Sequence, residues 1–203
     1  MLVSRPDKDR ISAAIAAVER NTAGEIFCVI ARQCGDYRTV PLVWAAALAL
    51  LLPLPLILWS PLPASWIYIA QLALFAVAAL VLSIPAIRFH LVPRRRMQQD
   101  AHAEAVRQFL AHSLHKTENR TGVLIFASEA EHYAEVIADE GIDEKVPQAV
   151  WDEAVAVLIA GIAAGRAADG FVGAIERCGV VLAQHFPPGA LNRNELPDKL
   201  IEI

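Results

Sequence analysis

Six of the seven carboxylates in one short stretch of the chain lie at the ends of apolar runs or beyond them: Glu129, Glu131, Asp139, Glu140, Asp143 and Glu144. Glu129 and Glu131 follow an apolar run, and Asp139 closes the next one. Carboxylates from adjacent loops can converge on a hard cation such as Ca2+, which takes about six to eight oxygen ligands. Glu129, Glu131, Asp139 and Asp143 form the candidate metal set, with Ca2+ as the candidate ion and no obligatory cofactor. Glu140 and Glu144 read as rim. The plainer alternative is a solvated acidic rim in which Asp139 serves the turn that Gly141 permits. His112 and His115 lie three apart on a predicted helix, a spacing open to a metal; they read more simply as two solvent-facing side chains. The three cysteines, Cys28, Cys34 and Cys178, have neither disulfide-framework nor metal spacing, and Cys28 and Cys178 lie in apolar patterns as small core residues.

The common catalytic signatures are absent. There is no Walker loop, Gly-x-Gly-x-x-Gly, Gly-x-Ser-x-Gly or His-Glu-x-x-His. Cys34 has Val40, not arginine, six positions on, and Asp139 is followed at the second position by Gly141 rather than a second aspartate. No residue is assigned a catalytic role.

The elements that would position these groups follow from apolar spacing. Ile11, Ile15 and Val18 form one stripe, which predicts a helix over residues 7–20. Glu25–Ala31, Gly122–Ala127 and Tyr133–Ala138 are short, apolar and rich in β-branched residues, and read as three strands. On the third, Tyr133, Glu135 and Ile137 share a face. A helix over residues 97–116 carries Val106, Phe109, Leu110 and Leu114. Trp151, Val155, Leu158, Ile159 and Ile162 mark another, stopped near Gly165. Phe171, Ile175, Cys178 and Leu182 mark a last one, ended by Pro187 and Pro188. Strands this apolar need both faces covered. The fold class is therefore α/β, a small sheet sandwiched by about four amphipathic helices. Residues 190–203 read as a polar tail.

Between the first strand and the rest lies a run unlike a soluble domain. From Thr39 to Ile87, 49 residues contain no Asp, Glu, Lys, Arg or His. A bilayer core takes ~20 helical residues, so the run fits two crossings, at about Pro41–Trp59 and Trp66–Ile87, around the turn Ser60–Ser65. Pro53 and Pro55 predict a kink. Trp59, Trp66 and Tyr68 suit the far membrane interface. Arg88, Arg94, Arg95 and Arg96 follow the run while the turn has no basic residue, which places both termini on the cytoplasmic side; Arg94, Arg95 and Arg96 read first as a signal that orients the hairpin, with contact to anionic lipid as the alternative. One strand precedes the run and two follow it. Residues 1–40 and 89–189 are thus read as one domain, with residues 41–88 a transmembrane helical hairpin inserted in it.

The overall charge is −4, with 18 basic and 22 acidic side chains, so nucleic acid is not an expected partner. Residues 1–120 are net +5 and residues 121–203 net −9. A basic half nearest an anionic bilayer suits that surface.

The order of pieces over residues 122–187 carries a resemblance: GVLIFA at Gly122, EHYAEVIADEGI from Glu131, Trp151, GRAADG at Gly165, and QHFP from Gln184. Together these resemble the TPM domain family, also labelled TPM phosphatase, in its membrane-anchored bacterial branch. The resemblance implies an α/β sandwich, and from some members a proposed acid phosphatase activity and calcium at the acidic strand ends. Members often carry an Asp-x-Ala-Gly-like segment before the first helix, where this chain has Ser4-Arg5-Pro6-Asp7. The expectation is a two-pass protein of the bacterial cytoplasmic membrane, a binding or scaffold module whose partners are the bilayer and another membrane protein. A metal-dependent phosphatase-like hydrolase is the alternative.

Overall fold

The computed structural model describes residues 3–117, 120–143, 145–188 and 195–203. The chain divides into two compact units: one joins Met1–Cys34 with Gln98–Ile203, the other is Gly35–Met97. The first unit is thus assembled from both flanks of the second.

Its elements begin with helix α1 (Arg5–Glu19) and strand β1 (Glu25–Ala31). Ser4 caps α1, its hydroxyl oxygen accepting from the Asp7 backbone N–H at 3.3 Å, and a proline in the first turn has no N–H to lose there. The second unit holds α2 (Thr39–Leu51), α3 (Pro53–Trp59), α4 (Ala64–Leu82) and α5 (Pro85–Leu91). Helix α6 (Arg94–Ala111) leads back into the first unit. There follow a 3-10 turn (Leu114–Lys116), β2 (Gly122–Ser128), β3 (Tyr133–Ala138), α7 (Glu140–Asp143), α8 (Gln148–Ala163), α9 (Ala167–His185) and β4 (Leu200–Glu202).

The sheet runs β3-β2-β1-β4. β1 is parallel to both neighbours, and β2 and β3 are antiparallel. All seven residues of β1 and of β2 are buried, so alternate side chains feed two cores. Ile26, Cys28, Ile30, Val123 and Ile125 pack with Ile11 and Ile15 of α1, Leu158 of α8, and Phe171 and Ile175 of α9. Phe27, Val29, Leu124 and Phe126 pack with Ala101, Ala105 and Phe109 of α6. Each large side chain so buried contributes roughly 1.5–3 kcal/mol. The mixed α/β layering matches the expectation.

Two details differ from it. The C-terminal residues end in a strand: Leu200 is buried and pairs with Cys28 in parallel register. Two apolar residues in three are too short a run for a period to show. Residues 190–194 of the expected tail lie outside the described residues. The second long apolar helix stops at Leu82, because Ile84 precedes Pro85 and takes an extended ψ of 128°. The first apolar helix is interrupted at Leu52, between α2 and α3, where Pro53 and Pro55 place the expected kink.

Inside the second unit, α2 packs on α4. Its buried residues include three alanines, Ala45 and Ala49 on α2 and Ala78 on α4, besides Pro41 and Ile67, and small residues allow close helix approach without polar contacts. Tyr37 is fully buried and meets Phe89 edge-on at 5.9 Å between centroids.

The α8–α9 contact turns on two glycines. A Cβ on Gly161 would stand 2.4 Å from the Gly170 Cα, and one on Gly170 would stand 2.8 Å from the Leu158 carbonyl oxygen. Both obstacles are backbone, so Gly161→Ala must push the helices apart at a cost of about 1–3 kcal/mol. Thermal unfolding should show a lower Tm for Gly161→Ala; an unchanged Tm would mean that this contact does not bear on stability.

Candidate functional site

The expected metal residues separate along the sheet. Glu129 and Glu131 follow β2, beside the pair Ser128↔Tyr133, whereas Asp139 and Asp143 follow β3, beside the pair Val123↔Ala138. Because the two strands are antiparallel, these are opposite ends of β2, roughly 20 Å apart over its seven residues. The four carboxylates therefore do not converge on one ion. Among the described residues no group of three or more His, Cys, Asp or Glu side chains is placed to hold a metal. Glu129 and Asp143 are exposed, and Glu144 lies outside the described residues. Asp139 is buried at the mouth of α7: its Oδ1 accepts the Glu140 N–H at 2.8 Å and its carbonyl accepts from Ile142 and Asp143. That is the turn role weighed beside the metal role. The exposed carboxylate of Glu140 pairs with Arg120. His112 lies against the Phe27 ring at 4.4 Å and does not pair with His115; burial, aided by Lys199, lowers its pKa.

At the carboxyl ends of β1 and β2, Glu131 ties two loops together. Its Oε1 accepts the Cys34 N–H at 2.9 Å and its Oε2 accepts the Ser128 hydroxyl. Glu104 of α6, buried nearby, is held by Arg107 and Gln108. Burial, reinforced by the charges of Glu131 and Glu104, pushes the Cys34 thiol up to about 12. Burial drives Cys28 well above its ordinary range and Cys178 to about 12. None of the three is a thiolate near neutral pH, so thiol nucleophilic chemistry is closed to them.

The first turns of α1 and α9 open on a polar cleft of about 200 Å³. Asp7, Arg10, Arg166 and Asp169 line it, with Gly165 at φ +71° making the bend between α8 and α9. Arg10 bridges to Asp169 at 2.7 Å and to Asp7 at 3.4 Å, and Arg166 lies 3.7 Å from Asp169. The cleft lies on the side of the carboxyl strand ends: Val3, also in its lining, donates its N–H to Glu202 of β4. Open α/β sheets bind ligands at that end. Two cations and two carboxylates can hold a small polar group. Asp7 and Asp169 are the groups of the lining able to act as base or nucleophile, and both are paired with Arg10. Local spacing holds no signal for this cleft, since Arg10 and Asp169 are 159 residues apart in the chain.

The most perturbed carboxyls sit at the other end of the sheet. Glu19 Oε1 accepts the Ile26 N–H at 2.9 Å. Burial, with the nearby charges of Glu25 and Asp198, raises its pKa to about 9, so it is protonated at neutral pH and shares a hydrogen bond with Asp198. Glu25 is also raised by burial, and its Oε2 accepts the N–H groups of Glu195 and Leu196 at 3.3 and 3.1 Å. Together they fasten the C-terminal segment to β1. Glu19 continues the stripe of Ile11 and Ile15 at four-residue spacing, a signal that would have placed it inside.

Residues 85–181 match the family described as TPM domain. That stretch spans α5, α6, β2, β3, α7, α8 and most of α9, and α1 and β1 complete the same core. Among solved structures the chain is similar to the BA42 protein of the psychrophilic bacterium Bizionia argentinensis, determined by NMR. The TM-score is 0.62 at 18% identity, covering 99% of this chain and 95% of that one, a likeness of fold. No curated protein matches the sequence.

The raised Glu19 pKa sets a pH dependence. Between its ordinary value of 4.5 and about 9, the folded chain holds a proton that the unfolded chain has released. The stabilisation is complete below 4.5 and is lost as pH rises through about 9. The Tm should fall over that window. Glu19→Gln stays neutral, keeps an acceptor for the Ile26 N–H, and should flatten the fall; parallel Tm-against-pH profiles for the two proteins would refute this.

Proposed function

We propose that this chain is a membrane-anchored TPM-domain protein of the bacterial cytoplasmic membrane, serving as a binding or scaffold module. The supporting observation is the apolar surface of the second unit. Thr39–Trp59 and Ala64–Leu82 are long and apolar enough to cross a membrane, and only 11% and 6% of their most apolar windows are buried within the protein. Leu50, Leu54, Ile57, Leu58 and Leu80 are all exposed. A surface of that kind needs a partner, and a bilayer supplies one without any specific contact. Trp59, Trp66 and Tyr68, exposed around the charge-free turn, suit the far headgroup level. Arg94, Arg95 and Arg96, exposed at the start of α6, with Arg88, suit the cytoplasmic face.

The binding reading is favoured over hydrolysis by the chemistry of the first unit. A metal-dependent phosphatase would need converging ligands beside a nucleophile or an activated water. The acidic side chains are spread along the sheet, both carboxylates of the cleft between α1 and α9 are paired with Arg10, and the thiols are protonated.

Silent native cysteines make the topology measurable. Pro63→Cys should react with an impermeant maleimide on intact cells, and Glu195→Cys only after permeabilisation. Labelling at position 195 from outside would overturn the orientation, and release of the chain by alkaline carbonate would overturn the anchor. Replacing residues 40–88 with a Gly/Ser linker should leave a soluble first unit that unfolds cooperatively, because its cores draw on neither α2 nor α4; an insoluble product would contradict an inserted anchor.

A further inference from the structure

We propose that the outer edge of β3 is a docking site for an extended, cationic polypeptide segment, which adds to the sheet as a fifth strand. The sheet ends at β3. The Asp139 N–H donates to the Gly122 carbonyl at 2.9 Å. In an antiparallel pair such bonding alternates, so Tyr133, Glu135 and Ile137 exchange bonds with β2 while Ala134, Val136 and Ala138 turn their N–H and C=O groups outward. Among the described residues no backbone hydrogen bond crosses that edge. β3 offers six residues in unbroken register, whereas the opposite edge, β4, has three. A regular unpaired edge of this length is a template for another strand.

Charge chooses the occupant. From Thr121 to Glu144 there are seven carboxylates and no Lys or Arg. Glu129 stands exposed beyond one end of β3 and Asp143 beyond the other. In the middle the half-buried carboxylate of Glu135 gives Oε2 to His102 at 2.9 Å and interacts with Tyr133. The flanking cations are engaged: Arg120 pairs with Glu140, and Lys145 lies over the Phe186 ring at 4.8 Å. A second copy pairing edge to edge would bring like charges together, which is disfavoured. A strand carrying Lys or Arg meets complementary charge along its length and satisfies the outward N–H and C=O groups.

The inference gives the binding-module reading a partner chemistry, and it is independent of the anchor: labelling tests the one and peptide binding the other. The experiment places the full chain in phosphatidylcholine nanodiscs and follows the fluorescence anisotropy of a labelled Lys-Val-Lys-Val-Lys-Val peptide, with empty discs as background. The cationic peptide should bind roughly tenfold or more tightly than its Glu-Val counterpart. The double substitution Glu129→Lys, Glu135→Lys should remove that preference. N-methylation of alternate peptide amides in one register should abolish binding, and in the other register leave it intact, because only one set faces β3. Absence of binding by the cationic peptide overturns the proposal. So does equal binding of the acidic peptide, or equal affinity of the two methylated registers, since the latter would be charge attraction without strand addition.

Discussion

Everything in the first unit depends on β1 finding partners far along the chain. Cys28 pairs with Ile125 on one side and Leu200 on the other. With every residue of β1 buried, neither core closes until both flanks of the second unit have come together. The entropic cost of closing so long a loop grows only slowly with length. A compact second unit whose own helices pack on each other shortens the effective loop further. The parallel register is what a long intervening segment permits, since a tight turn could only have made an antiparallel pair.

Polar side chains at the two ends of the sheet hold the segments that β1 brings together. At the amino end, Glu19 and Glu25 accept backbone N–H groups from the start of β1 and from the segment leading to β4. At the carboxyl end, Glu131 bridges the loops after β1 and β2. Buried carboxyls cost desolvation, and that cost is offset only when their oxygens are hydrogen-bonded. Glu19 meets the constraint in another way as well, by keeping its proton. These groups hold the chain in place, and their perturbed chemistry is a consequence of that position rather than a sign of catalysis.

The strands and the layering were legible because apolar runs of six or seven residues leave no other arrangement. Glu25–Ala31 and Tyr133–Ala138 are observed with the bounds their patterns predict. The four candidate carboxylates are separated for a reason equally physical. Residues near one another in sequence need not be near in space, since in a hairpin the end of one strand and the end of the next lie a full strand length apart. The cleft between α1 and α9 was illegible because its two halves meet only through helix packing. Arg10 gives no local sign that Asp169 lies opposite it. The short β4 lay below the length at which alternation can be read, and its burial is set by β1 rather than by its own sequence.

What remains unengaged is the better guide to function. The carboxylates of Glu19, Glu25 and Glu131 hold backbone N–H groups, and Arg10 is tied to two aspartates. A group already engaged in this way must break a contact before it can bind anything else. The outward amides and carbonyls of Ala134, Val136 and Ala138 exchange only water when they bind, and their flanking acids lower the cost of approach for a cationic strand while raising it for a second copy of the same edge. Acidic residues on an edge strand therefore do two things through one interaction: they prevent self-association, and they leave the edge open to a partner of opposite charge.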